Sequence, residues 1–245
     1  MDVTQLSHSE WRCEGPGRRM IVVPGTDKQL AYAGFACRDQ AGLTALRLRA
    51  QQEGRAILDS PSPYFQPDAF ALCDPNGQTL CFGLAKLAQN HRAGLQGPVQ
   101  HLTFAATNVE SFVAFYQNRL GFLLTDRVLH DDGTLATAFL TSNHEHHTLA
   151  CFKSDHNGMD HHSYEAGDWG YIRDWCDHFA RHDIQLEWGP GRHGPGNHLF
   201  VFITDPDGNW IEVSAELEVI YDRGVVDWPQ HPRTLNKWGR AIMRS

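Results

Sequence analysis

The sequence predicts an α+β fold built from tandem βαβββ modules. Short strand-like runs of apolar residues occur along most of the chain, and apolar residues at helical spacing recur at three places. The turn sequence DPNG at 74–77 returns as DPDG at 205–208. Around both turns a strand start, a helix and the turn follow in the same order, which indicates an internal repeat.

Each predicted helix follows a residue that caps helix N-termini well. Asp39 precedes a weak apolar stripe, Asn108 a strong one that Gly121 ends, and Asp168 another strong one. Each stripe predicts a helix with one buried face. The stripes consist of Leu43, Leu46 and Ala50; of Val109, Phe112, Val113, Tyr116 and Leu120; and of Trp169, Ile172, Trp175, Cys176 and Phe179.

The internal repeat sets the expected role of the N-terminal half. It aligns AYAGFACRD (31–39) with DHHSYEAGD (160–168), and FALCDPNGQTLCF (70–82) with VFITDPDGNWIEV (201–213). In this register Tyr32 replaces His161 and Cys81 replaces Glu212. Histidine and glutamate are residue types that bind metal ions. We therefore expect the N-terminal copy to be shortened, degenerate and without metal ligands, and to support the site by covering a sheet face. That the two turns are independent type I turns stays open as the alternative.

These elements predict three parts of the chain. Residues 1–92 form the degenerate βαβββ-like domain, and residues 98–218 form the catalytic, metal-binding domain. The polar segment 86–99, with two glycines and a proline, is predicted to link them. The tail, 219–245, has little periodicity and is expected to lie across the catalytic module or a neighbouring subunit.

Composition narrows the class of protein. The 245 residues are 41% hydrophobic and 20% charged, which fits a soluble enzyme with no membrane span. The first 15 residues lack a basic region followed by an apolar core, so we expect no secretory signal. A net charge of −8 without a basic cluster argues against a nucleic-acid partner. Six scattered cysteines without a CxxC pair predict reduced thiols and a cytoplasmic location, and disfavour structural zinc.

Three residues are candidate metal ligands. His101 opens the apolar run HLTFAA, His161 opens HHSYEA, and Glu212 lies in NWIEVSAE directly after DPDG. Alternation along strands can aim such side chains to one face of a sheet. Two neutral imidazoles and one carboxylate on one face suit non-haem Fe(II), because the opposite coordination positions stay open for substrate and O2.

The ligand spacing and two further runs, WGPGRHGPGN at 188–197 and LFVFITDPDGNWIEV at 199–213, resemble the vicinal oxygen chelate superfamily. The resemblance is specifically to its type I extradiol ring-cleavage dioxygenases. It covers roughly residues 20–215 and is strongest over 188–213. It implies Fe(II), or Mn(II) in its place, a small aromatic diol and O2 as substrates, a role in the catabolism of aromatic compounds, and a homo-oligomer.

The same resemblance implies roles for other histidines. The family carries an acid–base His three residues before a small residue; this selects His147, which Ala150 follows, with His146 as the runner-up. A neutral imidazole suits both removal and delivery of a proton. His193, in the glycine-rich GPGRHGPG, corresponds to the histidine that hydrogen-bonds substrate. His198 matches no family position.

Two adjacent histidines compete for one ligand position. The family motif Hx[AS][FY]E is satisfied by His161, Ser163, Tyr164 and Glu165, so His161 is the predicted ligand and His162 is expected to point to the opposite face of the strand. The remaining histidines without motif support receive no role: His8, His91, His130, His144, His156, His178, His182 and His231.

One position departs from the family pattern. Ten residues before the carboxylate ligand, the extradiol pattern has a tyrosine whose hydroxyl contacts a substrate or intermediate oxygen, whereas this chain has Phe202. Losing such a donor typically costs about 10²- to 10³-fold in rate. Either another group compensates, or the substrate and reaction differ from cleavage of simple catechol.

The sequence therefore predicts an Fe(II)-dependent extradiol-type dioxygenase that cleaves a catecholic ring with O2. One alternative is a metal-dependent lyase or isomerase of the glyoxalase type. Such sites take metal ligands from two modules and need a second Glu, whereas this chain has Cys81 at the corresponding position. The other alternative is a non-catalytic small-molecule-binding protein on the same scaffold, which would not need three metal ligands and two further pocket histidines.

Overall fold

The computed structural model describes residues 1–15, 17–86 and 97–243, which form three β-sheets and four α-helices. The architecture is a mixed α/β fold in which sheets predominate. Most of the linker predicted at 86–99 lies outside the described residues. Within the described ranges, no helix has both the length and the apolar composition needed to cross a membrane.

The N-terminus forms an antiparallel sheet that the sequence did not predict. Its strands, in spatial order, are β1 (Asp2–Ser7), β2 (Glu10–Gly15) and β3 (Arg18–Val22). Glu14, 8% exposed, joins the last two strands because its carboxylate lies 3.0 Å from Arg12 and 2.6 Å from Arg19. These strands are short, and the side chains of β1 are mostly exposed and those of β3 mostly half-buried, so the apolar signal in the sequence is weak.

The first helix lies in a strand–helix–three-strand unit. The unit consists of β4 (Ala33–Ala36), α1 (Gln40–Gln52), β5 (Leu58–Asp59), β6 (Phe70–Cys73) and β7 (Thr79–Gly83). Its sheet has the order β4-β7-β6-β5, with β4 and β7 parallel. Asp39 caps the helix by accepting a hydrogen bond from the Gly42 N–H at 2.8 Å, as its position predicts.

Two further units of the same order share one nine-stranded sheet. The first contains β8 (Val99–Ala106), α2 (Val109–Asn118), β9 (Leu123–Leu129), β10 (Leu135–Thr141) and β11 (Leu149–Lys153). The second contains β12 (Gly158–Glu165), α3 (Trp169–Arg181), β13 (Trp188–Arg192), β14 (Leu199–Thr204) and β15 (Trp210–Ala215). With β16 (Val226–Pro229) the sheet order is β13-β14-β15-β12-β8-β11-β10-β9-β16.

The two units meet at the centre of this sheet. Strands β8 and β12 run antiparallel to each other, and each has the last strand of its own unit as a parallel neighbour. The described residues thus contain three strand–helix–three-strand units, where the repeat in the sequence marked two. The turn repeat did not include the middle unit, because the loop 142–148 replaces the DPDG-type turn before its last strand.

Two apolar cores lie beneath the helices. One spans the first two units and includes the buried stripes of α1 and α2, and the other lies under α3 and includes Ile172 and Phe179. The predicted buried stripe of α3 was wrong at Trp169, whose side chain is 47% exposed. It is the first residue of the helix and packs edge to face on Trp238, with ring centroids 5.7 Å apart.

The C-terminal tail lies across the nine-stranded sheet. Strand β16 runs parallel to β9 near one edge, and the Lys237 N–H donates to the Arg192 carbonyl of β13 at the other edge. Between them is the short helix α4 (Pro232–Leu235). Because the tail reaches strands at both edges, the sheet curves enough to bring them near each other, and its inner face becomes a cavity wall.

Candidate metal centre

Two buried side chains, His101 and Glu212, and the half-buried His161 converge on the inner face of the nine-stranded sheet. His101 Nε2 lies 3.0 Å from Glu212 Oε2 and 3.4 Å from His161 Nε2, and the His161 Nε2–Glu212 Oε2 distance is 3.8 Å. The strand register explains this grouping, because Ser163 of β12 pairs with His101 of β8 on one side and with Glu212 of β15 on the other. The structure thus brings the three predicted ligands together.

Neighbouring side chains fix the protons of both imidazoles. Gln100 donates its amide N–H to the His147 carbonyl at 2.7 Å, so its amide oxygen faces His101 Nδ1 and accepts from it. Asp160 Oδ2 accepts from His161 Nδ1 at 2.6 Å. Since the proton of each ring lies on Nδ1, each Nε2 is a bare nitrogen available to a metal. Sequence reasoning missed both supporting residues.

The charges around these atoms fit a divalent cation. Glu212 is 1% exposed, and neither of its oxygens has a hydrogen bond within the described part of the chain. Burial alone would raise the pKa of Glu212, but His101, His193 and His198 outweigh it and hold the pKa well below its usual value. Burial lowers the pKa of His101 to about 4. An ionised, buried carboxylate beside neutral imidazoles needs a positive charge.

His147 lies beside the predicted ligands. Its ring centroid is 4.3 Å from that of His101 and 5.4 Å from that of His198, and it lines the cavity above the triad. Burial lowers the pKa of His147 well below its usual value, so the ring is neutral. The runner-up, His146, lies behind it and outside the cavity lining, with Nε2 3.1 Å from Asp126 Oδ2.

His193 and His198 face the other oxygen of the carboxylate. His193 Nε2 lies 3.5 Å and His198 Nε2 3.3 Å from Glu212 Oε1. The Leu235 carbonyl accepts from His193 Nδ1 at 2.5 Å, so the tail orients this ring and leaves its Nε2 bare. The two histidines and Glu212 thus form a second group of atoms with metal-ligand spacing.

The sequence contained a signal for His198 that was not used. His198 directly precedes β14, and residues two apart on a strand share a face. His198, Phe200 and Phe202 are therefore on one side of the sheet, and Phe202 pairs directly with Glu212. Counting back in steps of two from Phe202 would have placed His198 at the site.

Phe202 forms part of an aromatic wall. It is 2% exposed, its ring lies edge-on to His161 with centroids 5.1 Å apart, and it stacks on Trp188 at 5.3 Å. The cavity it lines measures about 100 Å³, which is the scale of a roughly 150 Å³ apolar cavity known to bind benzene. Its apolar lining also includes Phe139, Phe152, Pro195, Leu235 and Ile242.

His162 lies on the opposite face of β12 from His161. It is 8% exposed and packs against Tyr164 at a centroid distance of 5.4 Å, and burial lowers the pKa of His162 to about 4. Among the other histidines left without a role, none that the structure describes lines the cavity, and His91 lies outside the described residues.

Cys81 was the predicted counterpart of the second Glu of a glyoxalase-type site, and this comparison must be corrected. Ala150 pairs with Thr103 across parallel strands in the way that Glu212 pairs with Ser163. The counterpart of Glu212 at this site is therefore Ala150, whose methyl group cannot bind a metal. Cys81 lies in the separate sheet of the first unit, so it does not decide this point.

Residues 99–213 match the family model described as Glyoxalase/Bleomycin resistance protein/Dioxygenase superfamily. Metapyrocatechase 2 of Cupriavidus necator is 24% identical over 219 residues, covering 80% of this chain and 67% of that protein. Metapyrocatechase of Pseudomonas sp. (strain CF600) is 28% identical over 130 residues, covering 52% of this chain and only 42% of the relative. The iron-dependent extradiol dioxygenase of Rhodococcus jostii (strain RHA1) is 24% identical over 245 residues, with coverages of 90% and 81%.

Solved structures share the fold. A tyrosine-to-phenylalanine variant of homoprotocatechuate 2,3-dioxygenase from B. fuscum superimposes with a TM-score of 0.86 at 20% identity, covering 97% of this chain and 71% of that one. The Mn(II)-bound glyoxalase of Novosphingobium aromaticivorans gives a TM-score of 0.84 at 20% identity, with coverages of 99% and 83%. Since both a dioxygenase and a glyoxalase match, the shared fold does not choose the reaction.

Proposed function

We propose that this protein is an Fe(II)-dependent extradiol dioxygenase. The proposal starts from the match of residues 99–213 to the glyoxalase/bleomycin resistance protein/dioxygenase superfamily. The proposed reaction is cleavage of a catecholic ring with O2. One observation carries the proposal: the ligand atoms of His101, His161 and Glu212 lie within 4.8 Å of one another at the wall of a ring-sized cavity.

His101 and His161 would hold the metal through Nε2, and Glu212 through its carboxylate; none of these atoms carries a proton. Bound there, Fe(II), or Mn(II) in its place, would supply the Lewis acidity and electron transfer that a diol and O2 require. Gln100 and Asp160 hold the rings in the ligating tautomer. Among the described residues, Ala150 stands where the counterpart of Glu212 would lie, which leaves coordination positions for the diol.

The other cavity histidines would handle protons and orient the substrate. His147 is neutral and buried beside His101, so it can take a hydroxyl proton from the diol and return it later. His193 donates from Nδ1 to Leu235 and presents a bare Nε2 that can accept a hydrogen bond from a substrate hydroxyl. Phe202 and Trp188, which stack on each other, would form one apolar wall against the ring and exclude water from it.

The N-terminal half would be a support without metal chemistry. We assign residues 1–92 to a degenerate copy of the βαβββ module, residues 98–218 to the catalytic domain and residues 219–245 to a covering tail. Strand register favours the copy: Cys81 pairs with Gly34, two residues after Tyr32. In the catalytic domain, the carboxylate ligand pairs two residues after the second histidine ligand in the same way.

Turn geometry gives independent support for that copy. In the DPNG turn, Asp74 accepts hydrogen bonds from the Asn76 and Gln78 N–H groups. In the DPDG turn, Asp205 accepts from residues 207 and 209 at the same spacing. A cytoplasmic location and a homo-oligomeric state stay predictions; all six cysteines being free thiols favours the former.

Metal analysis and oxygen uptake test the proposed reaction. Protein prepared without oxygen is expected to contain one Fe(II) per chain and to consume O2 with substituted catechols, forming yellow ring-fission products. Zn or Ni with no O2 uptake would instead favour the lyase or isomerase alternative. A protein that binds catechols but contains no metal would favour the binding-protein alternative.

A second test concerns the missing tyrosine. Phe202→Tyr adds a hydroxyl beside Trp188, Phe200 and Trp210, whose rings offer it no acceptor. We expect a cost of about 1–3 kcal/mol, or roughly 5- to 150-fold in kcat/KM on the best substrate, with activity on unsubstituted catechol staying negligible. Steady-state kinetics at matched iron content measures this. A large gain on every substrate would show that the pocket lacks only a donor.

A further inference from the structure

A row of buried polar side chains leads away from the cavity behind His147. His147 Nδ1 lies 2.9 Å from His146 Nδ1, and His146 Nε2 lies 3.1 Å from Asp126 Oδ2. All three residues are at most 1% exposed. The reaction proposed above gives no task to His146 or Asp126, although burying a carboxylate and two imidazoles is costly.

Asp126 is held as a carboxylate. Its Oδ2 accepts a hydrogen bond from Trp228 Nε1 at 2.7 Å, and its Oδ1 lies 2.9 Å from Arg223 Nη1. Burial alone would raise the pKa of Asp126, but His146, Trp228 and Arg223 together keep it below its usual value. Asp126 therefore only accepts hydrogen bonds. Arg223 also pairs with Glu218 at 2.8 Å, so it does not depend on Asp126 alone.

The carboxylate determines where the protons of both imidazoles lie. Burial lowers the pKa of His146, so this ring carries a single proton. The polar atom nearest to Nε2 is Asp126 Oδ2 at 3.1 Å, which only accepts, so we place the proton on Nε2, although the two atoms do not meet hydrogen-bond geometry. His146 Nδ1 is then bare and accepts a hydrogen bond, so His147 must donate from its own Nδ1. His147 Nε2 is consequently the nitrogen without a proton.

We propose that Asp126 and His146 are positioning residues that hold His147 in the tautomer whose Nε2 is free to accept a proton from the bound diol. The proposal rests on the acid–base role proposed for His147 and assigns that role to one atom. Trp228 brings the tail into the same network. A buried carboxylate that fixes an imidazole tautomer is a general device, and in the serine-protease triad replacing it by an amide lowers kcat about 10⁴-fold.

Asp126→Asn is the discriminating variant. Cationic Arg223 retains the amide oxygen, so the amide N–H₂ takes the place of Oδ2 and the hydrogen bond from Trp228 Nε1 is lost. The N–H₂ group then faces His146 Nε2 and forces the His146 proton onto Nδ1. His146 then donates to His147, whose own proton moves to Nε2. We expect kcat to fall about 10²- to 10⁴-fold, with KM and iron content within a few-fold of wild type.

A matched control lies on the neighbouring strand. Asp227→Asn makes the same chemical change in an exposed residue, whose carboxylate pairs with Arg127 at 2.7 Å. It leaves the buried row intact and should keep kcat within about twofold. If Asp126→Asn behaves like Asp227→Asn, the positioning role is wrong.

The tautomers can be read without measuring turnover. Imidazole ¹⁵N NMR of protein loaded with diamagnetic Zn(II) should show the His147 proton on Nδ1 in the wild type and on Nε2 in Asp126→Asn. A wild-type His147 that carries its proton on Nε2 would overturn the proposal. Because this readout needs no reaction, it separates failure of the positioning role from failure of the dioxygenase function, which would appear as no O2 uptake by the wild type.

A pair of variants at His146 provides a rescue test. Asn at this position keeps a short acceptor close to where Nδ1 lies, whereas Phe keeps the ring volume and removes the acceptor. We expect His146→Asn to retain at least tenfold more kcat than His146→Phe at equal iron content. In the His146→Phe background, Asp126→Asn should cost little more, since the connection is already broken. Equal activities of the Asn and Phe variants would contradict the proposal.

Discussion

His161→Ala and Glu212→Ala are each expected to abolish both iron binding and ring cleavage. Each change leaves two protein ligands, and two ligands cannot hold a labile divalent ion well. Glu212→Ala has the larger electrostatic effect, because it removes the negative charge that lies within 3.8 Å of four imidazoles. Iron content measured after anaerobic desalting, together with O2 uptake, gives the result.

The neighbouring histidine supplies the control. His162→Ala changes the same residue type on the same strand but on the face that packs against Tyr164, so this variant should keep its iron. His162 is buried, and circular dichroism must therefore establish that the variant is folded. Loss of metal by His162→Ala together with retention by His161→Ala would mean that the predicted register of β12 is off by one residue.

The helices could be predicted from sequence because their signals are local. A capping side chain and an apolar stripe lie within one helix, and Asp39, Asn108 and Asp168 each accept the expected hydrogen bond. Trp169 shows the limit of such a signal. An apolar residue at the first helical position fits the spacing, although its side chain is 47% exposed.

The grouping of the metal ligands followed from motifs at strand starts, but their supporting residues could not be predicted. Gln100 and Asp160 matter because each lies next to a ligand and points its side chain back to that ligand's Nδ1. Such a contact depends on side-chain rotamers, which leave no periodic pattern in sequence. The pairing of Asp126 with Trp228 joins residues about a hundred positions apart, through a tail with little pattern of its own.

His147→Ala is the second large expected effect, and it separates binding from chemistry. The side chain is not a ligand of the proposed metal, so iron content and anaerobic substrate binding should stay near wild type. Turnover should fall by roughly the 10²- to 10⁴-fold typical of a lost general acid–base group. Iron analysis, anaerobic catechol titration and steady-state O2 uptake together test this split.

The control for this variant lies three residues earlier. His144 is exposed and its ring lies near the Ile220 carbonyl and the Tyr221 ring, away from the cavity lining, so His144→Ala should leave kcat unchanged. A His147→Ala variant that binds less iron would indicate that the ring mainly supports His101, with which it is in contact. An unchanged kcat would instead remove His147 from the mechanism. The acid–base role would then pass to His193 or His198, since His146 faces Asp126 and lies outside the cavity lining.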